Sequence, residues 1–562
     1  MRKRLIPIYS VLAVAIILLS VLVPGCDGGR TFALTMAVSP AGSGTAQDVT
    51  GTSPYASGAA VSIQASPAAG YTFVQWSAPA GTFANPTAAA TTFTMPAQNV
   101  TVTAHFVGPL DHFKGYNATA TQSLDKQVQL KDQFFPQGFD ATVNSAAFFF
   151  NPTDKVHNDT TTLIWNKDHH FTVYWITHTQ YGRQWNVEVK NQFGTQLLTV
   201  GGPVALAVPT QKQEPYYHEK PYGLDHYLLY AVVNEVLVDA PVGLKDEFGD
   251  DSQASAQKAI YFANPVQKTV AGTAPTPIMH PDDHLVFYKL GGTEFQPSEV
   301  YIDNQFEQRS LPLQGAASLL GVPSEKLQFG EQLDHFTVYD VTQLAEPAGK
   351  EVSLKDQFVD ITTIVVDAWD FCNPAAKAHN TEVLPPIVHP DYHLTLYALD
   401  YVDWHVWSVT VDNQFGKQLL TVYGPVGLLV PAQKLVPGDH AVPVGLDHFL
   451  VYDVITGPTL QETVLVRDEF SSPTGAPDSV TVLEPYSFAV PVRKTVGTEV
   501  TDIKNPLTHL VFYHIIDAEE SWPGVQVDDQ FLTQNLTLGD PAWMLGVPSL
   551  KLNFIPQGPY IP

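Results

Sequence analysis

The chain has 562 residues, 44% of them hydrophobic and 15% charged, with 44 prolines and 38 glycines. That is material for several domains with apolar cores, and it excludes a disordered chain, which needs fewer aromatics and more charge. Acidic residues outnumber basic ones 56 to 29, a net charge of −27, so nucleic acid is not an expected partner.

Arg2, Lys3 and Arg4 precede a nearly uncharged apolar run from Leu5 to Val23, followed by Pro24-Gly25-Cys26. This is the order of a secretory signal over residues 1–25. The small residue before Cys26 resembles a bacterial lipobox. The resemblance implies that Cys26 is the lipidated first residue of the mature chain, with residues 26–31 as a linker to the membrane anchor. Two alternatives stand beside it: an uncleaved helical anchor, since the run is just long enough to span a bilayer, and ordinary secretion. All three place the remainder outside the cytoplasm, at the cell surface or the periplasmic face. Removing residues 1–25 takes away three positive charges and leaves −30. The other cysteine, Cys372, reads as a small buried hydrophobe.

Residues 32–107 are rich in Ala, Thr, Gly, Ser and Pro, with alternating stretches. Val61, Ile63 and Ala65 share one side of a strand, as do Val100, Val102, Ala104 and Phe106 on another. The run Ala69-Gly70-Tyr71-Thr72-Phe73-Val74-Gln75-Trp76, then Phe93-Thr94-Met95-Pro96 and a final alternating strand, resembles the divergent internalin B-type repeat of bacterial surface proteins. That implies a small β domain acting as a stalk or adhesive spacer, with no catalytic residues.

From residue 110 the chain repeats itself. A His followed four residues later by Tyr recurs eight times: His112/Tyr116, His170/Tyr174, His226/Tyr230, His284/Tyr288, His335/Tyr339, His393/Tyr397, His448/Tyr452 and His509/Tyr513. Each pair opens a unit that continues to an acid or amide, then Gln or Glu, then Phe, as in Asp132-Gln133-Phe134 and Asn191-Gln192-Phe193. Each unit ends in an apolar strand with Pro and usually Lys. Odd units open with Leu-Asp-His, at Leu110, Leu224, Leu333 and Leu446, whereas even units often open with Pro and acids. The period is therefore a pair, repeated four times, and pairs are expected to fold as domains over 110–215, 220–328, 331–436 and 444–553. The fold class is all-β: a small β domain followed by tandem antiparallel β-sandwich or barrel domains, with one eight-bladed β-propeller as the alternative.

The array resembles a bacterial repeat domain of unknown function whose units read His-Phe-Lys-Cys-Tyr, then Asp-Gln-Phe, then Phe-Cys-Asn-Pro or Leu-Cys-Val-Pro. The resemblance covers nearly all of 110–552 and implies export and variable copy number, without an activity. It also implies that a disulfide joins the two cysteine positions in relatives. Here those positions hold other residues. Gly115, Val173, Leu229, Phe287, Val338, Leu396, Val451 and Phe512 occupy the first; Phe150, Ala207, Ala263, Gly321, Cys372, Leu429, Ala489 and Gly546 occupy the second. Large faces small in most units, as expected of side chains that touch across adjacent strands and hold their summed volume constant.

The eight His and Tyr are expected to be structural, making hydrogen bonds within the fold. Zinc needs three or four converging ligands, and each unit offers one His with no second ligand at fixed spacing, so no metal ligand is nominated. Calcium is the residual cofactor expectation, through acids such as Asp111, Asp132, Asp225 and Asp246, although no Asp-x-Asp-x-Asp-Gly loop occurs. Trp185, Trp404, Trp407 and Trp522, with Tyr181 and Phe295, read either as stacking platforms for a sugar or as packing between units. No nucleophile elbow, zincin, phosphate-loop or Cys-x-x-Cys motif occurs, so no catalytic residue is nominated and an enzyme is not expected. The expected role is structural, adhesive or partner-binding, with a membrane through the lipid anchor and an envelope protein or glycan as partners. The competing class is a ligand-binding or enzymatic propeller.

Overall fold

Strict alternation over 32–107 and the longer apolar runs of the array lead to two different β architectures. The computed structural model describes residues 30–559 apart from 52, 120–121, 295, 343–347, 380–382, 402–404, 471–475, 517, 519–523 and 540. Cys26 and the expected signal and linker lie outside the described residues, among which no helix occurs. The described residues fall into two compact units, divided after Pro109.

In the first unit, a sheet ordered Leu34–Ser39, Val100–Val107, Thr72–Ser77 accompanies a sheet ordered Gly44–Asp48, Ala60–Pro67, Ala90–Thr94, Thr82–Phe83. Val61, Ile63 and Ala65 are buried while the residues between them are exposed, as a half-buried strand requires. They meet Val100, Val102, Ala104, Phe106, Trp76 and Phe93 in one core.

The array builds two closed rings of antiparallel strands. Eight staves form the first: His112–Ala118, Phe139–His157, His170–His178, Gly194–Glu214, His226–Val232, Asp250–Val270, His284–Gly291 and Gln308–Glu331. Each pairs with the next, and the last pairs back to the first through Phe113↔Gly321 and Lys114↔Leu320. The second ring repeats this over His335–Asp340, Asp360–His379, His393–Leu399, Gly416–Val436, His448–Thr456, Asp478–Val496, His509–Ile516 and Met544–Pro559. These are eight-stranded barrels, whose interior is just wide enough for side chains to fill. The propeller alternative is excluded: the units supply staves to closed barrels, not blades to a ring.

Domain organisation differs from the expectation. Each repeat pair supplies half a barrel, because the ring that starts in pair 1 closes on the last strand of pair 2. A second layer tightens this. The short strand Lys126–Lys131 of unit 1 pairs with the closing strand of unit 3, and Leu237–Lys245 of unit 3 pairs with the closing strand of unit 1. Units 2 and 4 exchange strands in the same way, as do 5 with 7 and 6 with 8. Odd units trade with odd and even with even, which gives the two unit types a physical reason.

Closing strands are also longer than expected, 19 residues in unit 1 and 24 in unit 4. Register shifts partway along, as between Ala146 and Phe148, bend such a strand from its hairpin partner onto the barrel without ending it.

The former cysteine positions face one another in register in every unit: Gly115↔Phe150, Val173↔Ala207, Leu229↔Ala263, Phe287↔Gly321, Val338↔Cys372, Leu396↔Leu429, Val451↔Ala489 and Phe512↔Gly546. They lie inside the barrels. Phe113, Phe150, Val173, Leu229, Phe287 and their neighbours fill the first, and Phe336, Val338, Cys372, Leu429, Phe512 and theirs the second. A Cβ on Gly321 would sit 2.7 Å from the Phe287 ring, and one on Gly546 2.8 Å from that of Phe512, so those glycines make room for the rings.

Candidate functional site

Because alternate residues of a stave face opposite ways, Phe113 and Gly115 point into the barrel while His112, Lys114 and Tyr116 point outward. The outward side is not solvent. It is covered by the exchanged strands, and all eight tyrosines are buried.

Each Tyr reaches the acid or amide of the motif two units away. Tyr116 donates to Asp246 at 2.8 Å, and Tyr230 returns the bond to Asp132 at 2.7 Å. Tyr339 donates to Asp468 and Tyr452 to Asp356, both at 2.8 Å. In even units Asn304 donates to Tyr174 at 2.9 Å, Asn191 to Tyr288 at 2.8 Å and Asn413 to Tyr513 at 3.0 Å, while Tyr397 donates to Asp529 at 2.7 Å. Burial and the facing carboxylate push the Tyr116 and Tyr397 hydroxyls far above their usual range. The acids also start the turn: Asp132 accepts from the backbone N–H of Phe134 and Phe135, each at 3.0 Å.

The histidines form a second girdle with the next unit. Gln192 donates to His112 Nε2 at 2.7 Å, Gln305 to His226 at 2.6 Å, Gln530 to His448 at 2.8 Å and Gln357 to His509 at 3.2 Å; Gln414 contacts His335. The amide oxygens of Gln192, Gln305 and Gln133 accept from the closing lysines Lys155, Lys268 and Lys326. Burial, with the nearby lysine, lowers His112, His226, His284, His335, His448 and His509 to about 3. These imidazoles are neutral in the fold, and all but His284 accept from a Gln amide.

Two places break the pattern. Glu replaces Gln at Glu247 and Glu469, and a second imidazole arrives from the segment after the preceding closing strand. His170, His218 and Glu247 bring their ligand atoms within 4.8 Å of one another, and so do His393, His440 and Glu469. His218 Nε2 lies 3.0 Å from Glu247 Oε2, and His170 Nε2 lies 3.5 Å from Oε1. His440 Nε2 lies 2.8 Å from Glu469 Oε2. Lys212 and Lys434 contact the same carboxylates. Burial, partly opposed by Asp246, lowers Lys212 to about 7. His170 is driven well below its usual value by burial and by Lys212 and His218.

Here the expectation that the histidines lack a converging second ligand fails, because the ligands come from units that fold together but are distant in sequence. A signal was present. Gln-Lys-x-x-Pro-x-x-His occurs at Gln211–His218 and again at Gln433–His440, and the units that follow carry Asp-Glu-Phe instead of Gln at the middle position. The acids suggested for calcium do not gather in this way. Asp111 accepts from the N–H of Trp165 and Asn166, Asp225 from Met279 and His280, and Asp132 and Asp246 from turn amides and tyrosines.

The stacking reading fails for Trp185 and Trp407. Trp185 and Trp407 are buried, with Phe134 stacked on the first at 4.9 Å and Phe358 on the second at 5.2 Å. No ring face remains for a sugar, since the exchanged strands press these indoles into the core. Tyr181 is exposed. Trp404, Trp522 and Phe295 lie outside the described residues. Cys372 is free and buried, the small hydrophobe expected.

A divergent InlB B-repeat domain matches residues 34–108. A repeat of unknown function, DUF7450, matches in tandem at 80–184, 179–311, 291–424 and 407–547. The chain belongs to the DUF7450 repeat family. Four matches over eight units give the family repeat a period of two units, with bounds offset from those of the pairs, and each barrel spans two such periods. No curated protein and no solved structure matches the chain. Together the two repeat families describe a surface or structural repeat protein.

Proposed function

We propose that this is an extracytoplasmic lipoprotein, tethered to the membrane through Cys26, whose barrels serve a structural, adhesive or partner-binding role. One observation carries the reading: the places where a barrel protein would bind a ligand are filled. All eight staves of each ring send apolar side chains inward, and the recurring Tyr and five of the eight recurring His side chains are committed to other units. What remains for function is the outer surface and the loops, which carry exposed aromatic and aliphatic side chains such as Tyr181, Tyr217 and Val444 on a strongly acidic chain. Arg2-Lys3-Arg4, the apolar run and Cys26 support the anchor.

Metabolic labelling with a palmitate analogue, followed by membrane fractionation, tests the tether. The wild-type chain is expected to carry label and sediment with membranes, and Cys26→Ser to lose both. Equal labelling and sedimentation of the variant would overturn lipid anchoring at Cys26. Crosslinking in intact cells is expected to capture an envelope component on barrel loops.

A further inference from the structure

The two exceptional units each bring two imidazoles and a carboxylate together and leave an imidazole nitrogen buried without a hydrogen bond. A neutral imidazole has one N–H and one lone pair. His218 has acceptors on both sides, Asp168 Oδ1 at 2.9 Å from Nδ1 and Glu247 Oε2 at 3.0 Å from Nε2. His170 points Nδ1 at the Asp168 carbonyl, 3.2 Å away, and leaves Nε2 buried and unbonded beside Glu247. The second barrel repeats this. His440 lies between Asp391 Oδ1 at 3.0 Å and Glu469 Oε2 at 2.8 Å, and His393 Nε2 is buried without a hydrogen bond.

We propose that each barrel carries a site for a divalent transition-metal ion of the zinc class, held by His170, His218 and Glu247 in the first and by His393, His440 and Glu469 in the second. An ion bonded to Nε2 lets Nδ1 of His170, His218 and His440 keep its proton and donate it to the acceptor behind. That acceptor is a carboxylate for His218 and His440, the arrangement that orients metal-ligating imidazoles and raises their basicity. Two imidazoles and one carboxylate suit zinc and its neighbours, and bond lengths of about 2.0–2.2 Å fit a cluster this tight after a small contraction. The ammonium groups of Lys212 and Lys434 contact the same carboxylates. Both glutamates remain partly exposed, 23% and 37%, which gives an ion a path inward. The remaining six units carry Gln instead of Glu, and its amide meets the histidine in five of them and the lysine in at least three.

The test uses the untagged mature chain, stripped with a chelator, dialysed, and titrated with Zn²⁺ by calorimetry alongside elemental analysis. Two ions per chain are expected for wild type, one for Glu247→Gln, and none for the Glu247→Gln/Glu469→Gln double variant. These substitutions install the residue already present in the other units, so the fold is expected to tolerate them, and circular dichroism checks this. His218→Gln is expected to lose one ion as well. Co²⁺ loaded in place of zinc should give the visible absorption of a low-coordinate site, lost in the double variant. A wild-type chain that binds no ion, or a folded double variant that retains both, overturns the proposal.

Discussion

The two barrels share a ring, a girdle and a pattern of exchange, yet they stabilise the same buried acid differently. In the first, Asp246 accepts from Tyr116 and Asn151 and pairs with Lys114 at 3.2 Å, while Lys114 also holds Asp251 at 2.7 Å. In the second, the equivalent Asp468 accepts from Tyr339 and Asn373, and the hydroxyl of Thr337 takes the place of the lysine. The carboxylate, its tyrosine and its asparagine recur; the third donor varies. A cross-unit acid can thus be satisfied by a full charge or by a dipole, provided every acceptor site is met.

The largest expected effect is common to both barrels and checks that they are equivalent. Six of the eight histidines sit at about 3 in the fold, against about 6.5 in an unfolded chain. Below pH 6.5 the unfolded state takes up protons that the native state refuses. Stability therefore falls as pH drops from 6.5 toward 3, by at most about 1.4 kcal/mol per pH unit for each imidazole. Asp111 and Asp370, pushed up to about 7 by burial, act in the opposite sense, as do Asp132, Asp283, Asp356, Asp412, Asp447, Asp453 and Asp529, which burial also raises, and together they reduce the loss. Melting temperature is expected to decline steadily between pH 6.5 and 4, with hydrogen exchange rising in both barrels. A rise in one barrel alone would break the equivalence.

Next comes the acid itself. Lys114→Met leaves Asp246 and Asp251 buried with a lost counter-charge and is expected to cost about 3–5 kcal/mol. Thr337→Val removes one hydroxyl donor from Asp468 and should cost about 1–3 kcal/mol. Urea denaturation measures both, and equal costs would show that charge and dipole are interchangeable there in energy as well as in place.

The smallest effect concerns the interiors. Gly115→Val drives a side chain into the Phe150 ring and is expected to cost about 1–3 kcal/mol. Adding Phe150→Cys transplants the Val338/Cys372 pair of the second barrel into the first and should recover part of that loss. A double-mutant cycle reads the coupling, and strict additivity would deny the volume exchange.

What was legible in the sequence follows the range of the interaction. The interior pairs could be read because Gly115 and Phe150, or Phe512 and Gly546, belong to one unit and trade volume within it. The small N-terminal domain could be read from simple alternation at Val61, Ile63 and Ala65. The closure was hidden because Tyr116 and Asp246 are 130 residues apart and nothing local marks their meeting. Its only trace was the difference between odd and even units, which reads as a reason to pair neighbours until the exchange of odd with odd is seen. Trp185 and Trp407 were ambiguous for a related reason: an aromatic ahead of a strand looks the same under a lid as in solvent. His218 and His440 went unnoticed because they lie outside the repeated motif, and only their co-occurrence with Glu247 and Glu469 sets them apart.

The reciprocal trade of strands between every second unit also constrains how such genes grow. Duplicating one family repeat would yield an orphan half-ring, with two open edges and carboxylates lacking their distant tyrosines, prone to aggregate or to seize a neighbouring molecule's half. Viable descendants of this chain should accordingly lengthen or shorten in steps of two family repeats, a parity rule that a census of copy numbers in the family can check.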